Sequence, residues 1–258
     1  MAVHPSALVD PAARLGAGVS IGPFSIIGPE VTLGDGVEVK SHSVVTGWTD
    51  IGSGSVIFPH ATVGEVPQDL KYRGEHTRLV IGARCRIRES VTLNIGTEGG
   101  GGVTRVGDDC LLMTGCHIGH DAQLGNRVIL ANAVAIAGHC QIGDDVIIGG
   151  LSGIHQWVRI GQGAIIGAVC MVTNDVLPFG LVQGPRGELD GLNLVGLKRR
   201  GVDRAEIQAL RAAYDVLAHG PGTFLDRARG LSDDASPQVR EMVAFILSNS
   251  DRSFLPPK

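Results

Sequence analysis

The sequence predicts a parallel β-helix of hexapeptide repeats followed by a small C-terminal α-helical domain. Three observations predict it. An aliphatic residue recurs at every sixth position over most of the chain, glycine is abundant while aromatic residues are scarce, and the period stops near Val182. The 258 residues include 38 glycines against only 4% aromatic side chains, the composition of a backbone that turns often around a narrow core of small groups.

Reading from Val3, the blocks run 3–8, 9–14, 15–20 and 21–26, then on without a break to the block that starts at Val63. Their first position is always Val, Leu or Ile, and the fifth is usually small, as at Ala7, Val19, Ser25 and Val31. Each block then forms one flat side of a triangular coil. Its first residue fills the interior, its fifth packs beside it, and three blocks complete a turn of about eighteen residues. The register returns at Ile81 and Ile87, and again from Val106 through the block at Val172. The stretches 69–80 and about 93–105, the second holding Gly99 to Gly102, interrupt it. In a solenoid such insertions are excursions from the coil, where binding residues often sit. The expected organisation is a β-helix over 1–182 and a helical domain over 183–258.

Cys85, Cys110, Cys116, Cys140 and Cys170 all fall at the fifth position, so they read as small core residues rather than disulfides or metal ligands. Beyond Val182 an apolar stripe of Ile207, Leu210, Tyr214 and Leu217 marks a helix. Asp203 and Glu206 are placed as its capping box, and Gly220-Pro221-Gly222 ends it. Ser236-Pro237 opens another helix with Val239, Met242, Val243 and Ile246 on one face.

A net charge of −4 gives no electrostatic reason for general affinity to nucleic acid or anionic membranes. The first ten residues lack the basic segment and apolar run of a signal peptide, and no apolar stretch reaches the length of a membrane span. A cytoplasmic location is the expectation.

The register also places the histidines. Blocks starting at Ile118, Ile136 and Ile154 stack on successive coils, and they hold His120, His139 and His155; His117 closes the block before the first of these. Four imidazoles thus meet on one strip, where proton transfer, metal binding and polar structure all remain open. His120 is the strongest candidate base because Asp121 follows it, provided a turn brings the two side chains together. Gly138 precedes His139 on the stacked block, and its amide is placed to approach an oxyanion.

The segments GEVPQDLKYRGE (64–75), IRESVTLNIGT (87–97), HIGHD (117–121), GGLSGIHQ (149–156) and GLKRRG (196–201) closely resemble those of the UDP-N-acetylglucosamine O-acyltransferases of lipid A biosynthesis, over nearly the whole chain. The resemblance implies a left-handed coil, a homotrimer with active sites between subunits, acyl carrier protein as donor, UDP-N-acetylglucosamine as acceptor, and no cofactor or metal. It implies that His120 removes the proton from the sugar 3-hydroxyl, supported by Asp121, while Gly138 donates to the oxyanion. It also assigns Asp69, Lys71, His117, His139, His155 and Gln156 to the sugar and phosphates, and Asn193, Arg199 and Arg200 to the nucleotide diphosphate. Three positions depart from the best-known members: Asn94 stands for histidine, Val195 for glutamate, and Ala168 for a glycine that limits acyl-chain length. Asn94 leaves open whether the acceptor carries a hydroxyl or an amine. An N-acyltransferase or acetyltransferase on the same scaffold, or a zinc-dependent lyase of the carbonic anhydrase type, is the alternative reading.

Overall fold

The computed structural model describes residues 2–248, 250 and 252–258. Mostly two-residue strands recur every six residues and stack into three sheets, of eleven, nine and eight strands among the described residues, parallel throughout but for the last strand of the first. The first face begins with Ala2–Val3, the second with Leu8–Val9 and the third with Arg14–Leu15. Partners in adjacent coils are eighteen residues apart, as in Ser20 with Glu38 and Ile21 with Val39. The first-position residues point inward and are buried from Ile21 onward.

Closing a triangle with so few residues forces a sharp corner after each strand. The fourth position of most hexads supplies it by adopting a left-handed conformation, at φ 59° for His42, 61° for Asp121 and 63° for His139. Such angles cost a non-glycine residue energy, and the neighbouring coils on either side hold the backbone there.

The small fifth position has a second use. Ser25, Ser43 and Ser152 donate from Oγ to a carbonyl at the second position of the next coil, at 2.7, 2.9 and 2.9 Å. Cys140 makes the same contact from Sγ to the His155 carbonyl at 3.1 Å. A buried carbonyl is costly to leave unpaired, so small donors suit this position as well as apolar groups do. All five cysteines are buried and free. Burial pushes the Cys140 thiol up to about 12, and it raises Cys116 and Cys170 as well, so these three are inert thiols.

The excursions differ at their edges from the sequence expectation. The chain leaves the coil after the strand Thr62–Glu65 and rejoins at Arg78–Ile81; it leaves again after Thr92–Asn94 and rejoins at Val103–Val106. Residues 78–80 and 103–105 are strand because Trp48–Ile51, Arg78–Ile81 and Val103–Val106 pair along four residues each, longer than the hexad rule allows. The two excursions hold each other: Thr77 Oγ1 donates to the Gly96 carbonyl at 2.6 Å.

After the last coil, Gly180–Gln183 pairs in parallel with Ile165–Ile166, and Glu188–Leu192 turns back against it antiparallel. Among the described residues four helices follow: α1 Leu194–Arg199, α2 Arg204–His219, α3 Phe224–Gly230 and α4 Pro237–Leu247. Helix α2 buries Ile207, Leu210 and Leu217, and α4 buries Val239, Met242, Val243 and Ile246. The capping box expected at Asp203 and Glu206 is not made. Glu206 instead accepts from Ser236 Oγ at 2.5 Å, which ties the start of α2 to the N-cap of α4. A full capping box forms at Thr223 and Asp226 on α3.

Candidate active site

The second face turns into the third at the corners 119–122, 137–140 and 155–158, and the sequence-predicted histidines gather here. Asp121 adopts the left-handed corner conformation, which brings its carboxylate back beside the preceding side chain. His120 Nδ1 lies 2.8 Å from Asp121 Oδ2, and both residues are buried. Asp121 is held from the other side by the second excursion: Thr97 donates from its backbone N at 2.9 Å to Oδ1 and from Oγ1 at 2.6 Å to Oδ2. The Asp121 backbone N donates to Thr104 Oγ1 at 2.7 Å. Gly100 packs so close that a methyl group there would sit 2.1 Å from the carboxylate, so only glycine fits.

Gly138 has the same relation to the imidazole. A Cβ there would lie 2.7 Å from His120 Cε1 and 2.8 Å from Nε2. Its N–H has no acceptor among the described residues. At the equivalent third position on the next corner around the coil, a side-chain oxygen caps three successive amides. Ala83 donates to Asp108, Asp108 to Asn126 and Asn126 to Asp144, at 2.8 to 2.9 Å. No such side-chain oxygen stands over the Gly138 amide, which is left open beside His120.

His139 stacks on Trp157, ring centroids 3.8 Å apart and planes 6° from parallel, and meets His120 edge-on at 4.9 Å. Burial lowers its basicity, with nearby Asp121 acting the other way. His117 accepts from or donates to Thr92 Oγ1 through Nδ1 at 2.8 Å, and burial, then the neighbouring His120, lower its basicity too. Both shifts favour the uncharged ring. Asp69 and Lys71, from the first excursion, line a small cleft of about 200 Å³ with His139 and Trp157.

His117, His120, His155 and Gln156 open on a cleft of about 320 Å³ that runs along the second face. Its floor is the row of outward residues Ala135 and Gly153, in register with His117 at one end and Met171 at the other. Small side chains between two larger ones make a narrow trough. Asn94 also lines it, but its Nδ2 donates to the Glu65 and Val66 carbonyls at 3.2 and 2.9 Å, so it tethers the start of the first excursion.

The remaining predicted residues lie elsewhere. Ala168 is exposed at the corner between the first and second faces, three residues before Met171. Asn193 caps α1, accepting from Gly196 N at 2.9 Å and donating to the Gly163 carbonyl at 3.0 Å. Arg200 reaches over Gly163, at the corner between the third and first faces, and Arg199 is exposed nearby on α1. Within one chain these three do not meet His120.

Sequence reasoning missed Thr97, Thr104, Gly100 and Trp157. The glycine run 99–102 marked the segment but not its target, and the eighteen-residue stacking puts Trp157 one coil above His139 without revealing the contact of the rings. Ligand atoms of His120, Asp121 and His139 lie within 4.8 Å of one another, close enough for a divalent ion. Yet Asp121 already accepts from Thr97 and faces His120 Nδ1, so this is a hydrogen-bonded acid–imidazole pair rather than three open donors.

Known proteins resemble the chain along its whole length. The family described as Udp N-acetylglucosamine O-acyltransferase, Domain 2, matches residues 175–255, and the bacterial transferase hexapeptide repeat matches 12–47 and 104–138. The acyl-[acyl-carrier-protein]–UDP-N-acetylglucosamine O-acyltransferase of Paracoccus denitrificans is 67% identical over 78% of this chain and 76% of its own. That of Azorhizobium caulinodans is 54% identical over 78% and 74%. The solved structure of LpxA from Acinetobacter baumannii superposes with a TM-score of 0.96 at 38% identity, over 99% of this chain and 100% of that one. The coil is thus a left-handed parallel β-helix.

Proposed function

The chain belongs to the UDP-N-acetylglucosamine O-acyltransferase family, and from that membership we propose a mechanism in which His120 is the base. The enzyme transfers an acyl group from acyl carrier protein to UDP-N-acetylglucosamine. The resemblance places this transfer on the sugar 3-hydroxyl, at the first step of lipid A biosynthesis.

The observation that carries the mechanism is the His120–Asp121 pair beside an unpartnered Gly138 amide. Asp121 accepts from His120 Nδ1–H and so leaves Nε2 as the proton acceptor. The sugar hydroxyl gives its proton to Nε2 while its oxygen bonds to the thioester carbonyl carbon. The Gly138 N–H donates to the oxyanion that forms, a contact typically worth about 2.7–4 kcal/mol. When the tetrahedral intermediate collapses, the C–S bond breaks and the carrier's thiolate takes the proton back from Nε2. A positioned base adds about 10²–10⁴ in rate, and no covalent acyl-enzyme is needed. The cysteines, all buried in the coil, have no part in it.

The trough from His120 to Met171 suits a linear acyl chain, and Ala168, in the place of the glycine that limits chain length in the best-known members, adds a methyl group that would shorten the preferred chain. Asp69, Lys71, His117, His139, His155 and Gln156 then surround the sugar and its phosphates. Asn193, Arg199 and Arg200 lie at a different corner, with Asn193 buried as the α1 cap, and this fits a homotrimer in which each cleft is completed by a neighbouring subunit. Arginine suits phosphate because its fork is planar and permanently charged. Among the described residues no helix is long and apolar enough to cross a membrane, and the soluble substrates fit a cytoplasmic enzyme.

The test is acyl transfer from a panel of acyl carrier protein thioesters to UDP-N-acetylglucosamine and to its 3-amino analogue, for the wild type and a folded His120→Ala variant. Transfer to the 3-hydroxyl that collapses in the variant supports the assignment. A variant with wild-type turnover removes His120 as base, and transfer to the amine alone changes the acceptor.

A further inference from the structure

We propose that Arg252, on the C-terminal strap, is a positioning residue that sets which nitrogen of His155 carries its proton, fixing Nε2–H as a donor into the substrate cleft. The inference rests on the reading of His155 as a contact to the nucleotide sugar.

Arg252 lies 97 residues from His155 in sequence, and its Nη2 stands 2.8 Å from His155 Nδ1. The strap is fastened where the coil ends. Asp175 N donates to the Ser253 carbonyl at 3.0 Å, and Leu255 N donates to the Asp175 carbonyl at 2.9 Å. Ser250 Oγ donates to Asp175 Oδ2 at 2.8 Å and Asn174 Nδ2 to Ser253 Oγ at 2.6 Å. Beneath these, Asp175 forms a buried ion pair with Arg159 at 2.7 Å. Arg252 itself donates from Nη1 to the Thr173 carbonyl at 2.9 Å. The guanidinium therefore reaches the imidazole from a fixed base.

His155 Nδ1 also lies 3.1 Å from the Gln156 carbonyl, and the two neighbours make opposite demands. The carbonyl accepts only, so it calls for Nδ1–H. The guanidinium donates only, so it calls for a bare Nδ1. A proton on Nδ1 would face a cationic N–H at 2.8 Å, whereas a lone pair there accepts a charge-assisted bond about twice as strong as a neutral one. The shorter, charged contact decides, and the proton sits on Nε2. His120 is the mirror case. Its Nδ1 faces a carboxylate, so Nε2 is bare. Two imidazoles on the same cleft, each tied at Nδ1 to a group of opposite sign, present a proton acceptor and a proton donor to one substrate.

The test uses the full-length protein with ¹⁵N-labelled histidine, free of substrate. Long-range ¹H–¹⁵N spectra report which nitrogen of each ring is protonated, and a His155→Gln variant identifies the His155 signals. Wild-type His155 is expected as Nε2–H, shifted towards Nδ1–H in Arg252→Ala and restored in Arg252→Lys. The KM for UDP-N-acetylglucosamine is expected to rise about tenfold in Arg252→Ala, the loss of one hydrogen bond. Nδ1–H in the wild type, or a tautomer unmoved in Arg252→Ala, overturns the inference and leaves His120 chemistry untouched. A KM unchanged in His155→Gln removes His155 from the sugar contacts instead, and the role of Arg252 with it.

Discussion

Replacing Gly138 by alanine separates the two parts assigned to that corner. The backbone of Gly138 is not in the left-handed region, so alanine adopts it without strain and keeps the same N–H. What alanine adds is a methyl group 2.7 Å from His120 Cε1 and 2.8 Å from Nε2, against ordinary contact from 3.4 Å. The ring must withdraw by about 0.7 Å, and a displacement of about 1 Å in a reacting group costs on the order of 10² in rate. The expected result is a fall of about 10² in kcat, bounded by the 10²–10⁴ that a positioned base supplies. Thermal unfolding is expected to remain cooperative, with Gly230→Ala, where a methyl group meets nothing within 4 Å, as the silent control. Steady-state transfer assays on Gly138→Ala, His120→Ala and the double variant decide the matter. If alanine acts by moving His120, the double variant is no worse than His120→Ala alone. Near-wild-type turnover in Gly138→Ala, or losses that multiply in the double variant, would refute the reasoning.

Three further perturbations follow from the same geometry. Asp121→Asn keeps the shape but offers a donor amide to His120 Nδ1, so kcat should drop by about 10²–10⁴ with little change in substrate KM; an unchanged kcat denies Asp121 its role. Asp175→Ala removes the carboxylate that bonds both the Arg159 backbone N–H and its guanidinium, at 2.8 and 2.7 Å, and should lower the unfolding free energy by about 3–5 kcal/mol in urea. Burial lowers the basicity of His117 and His139, so the unfolded chain binds more protons just below the ordinary histidine value of about 6.5; stability is full above that value and is lost as pH falls through the lowered native values. Urea titrations from about pH 7 to 5 should show that slope, flattened in a His117→Asn/His139→Asn variant.

The coil was legible because its rule is local. A first-position aliphatic such as Ile118 or Ile136 can only point inward, and that single fact placed Cys140 in the core and stacked His120 near His139. The corner conformation that joins His120 to Asp121 is set by closure of the triangle, which the hexad pattern alone does not specify. The excursions carry no register, so Thr97 and Gly100 gave no sign that their target was Asp121. Likewise the hydrogen bond from Ser236 to Glu206 is a contact between helices thirty residues apart, and it displaced a cap that looked complete within α2. Arg252 met His155 only because the end of the chain folds back over the last coil.

The eighteen-residue spacing works as an address system. A residue's position within its coil fixes its face, and the number of coils below it fixes its height. Removing one hexad between His120 and Trp157 would turn everything above it by a third of a revolution and carry Trp157 off the edge the two share. The two excursions avoid this. They lengthen the partner spacing from eighteen to thirty between Val56 and Arg86, and to twenty-five between Arg86 and Leu111, yet return the chain to the same edge at the next level. Loops of any length can therefore be spliced in at a corner without changing the phase of the site, while the straight runs admit only whole turns.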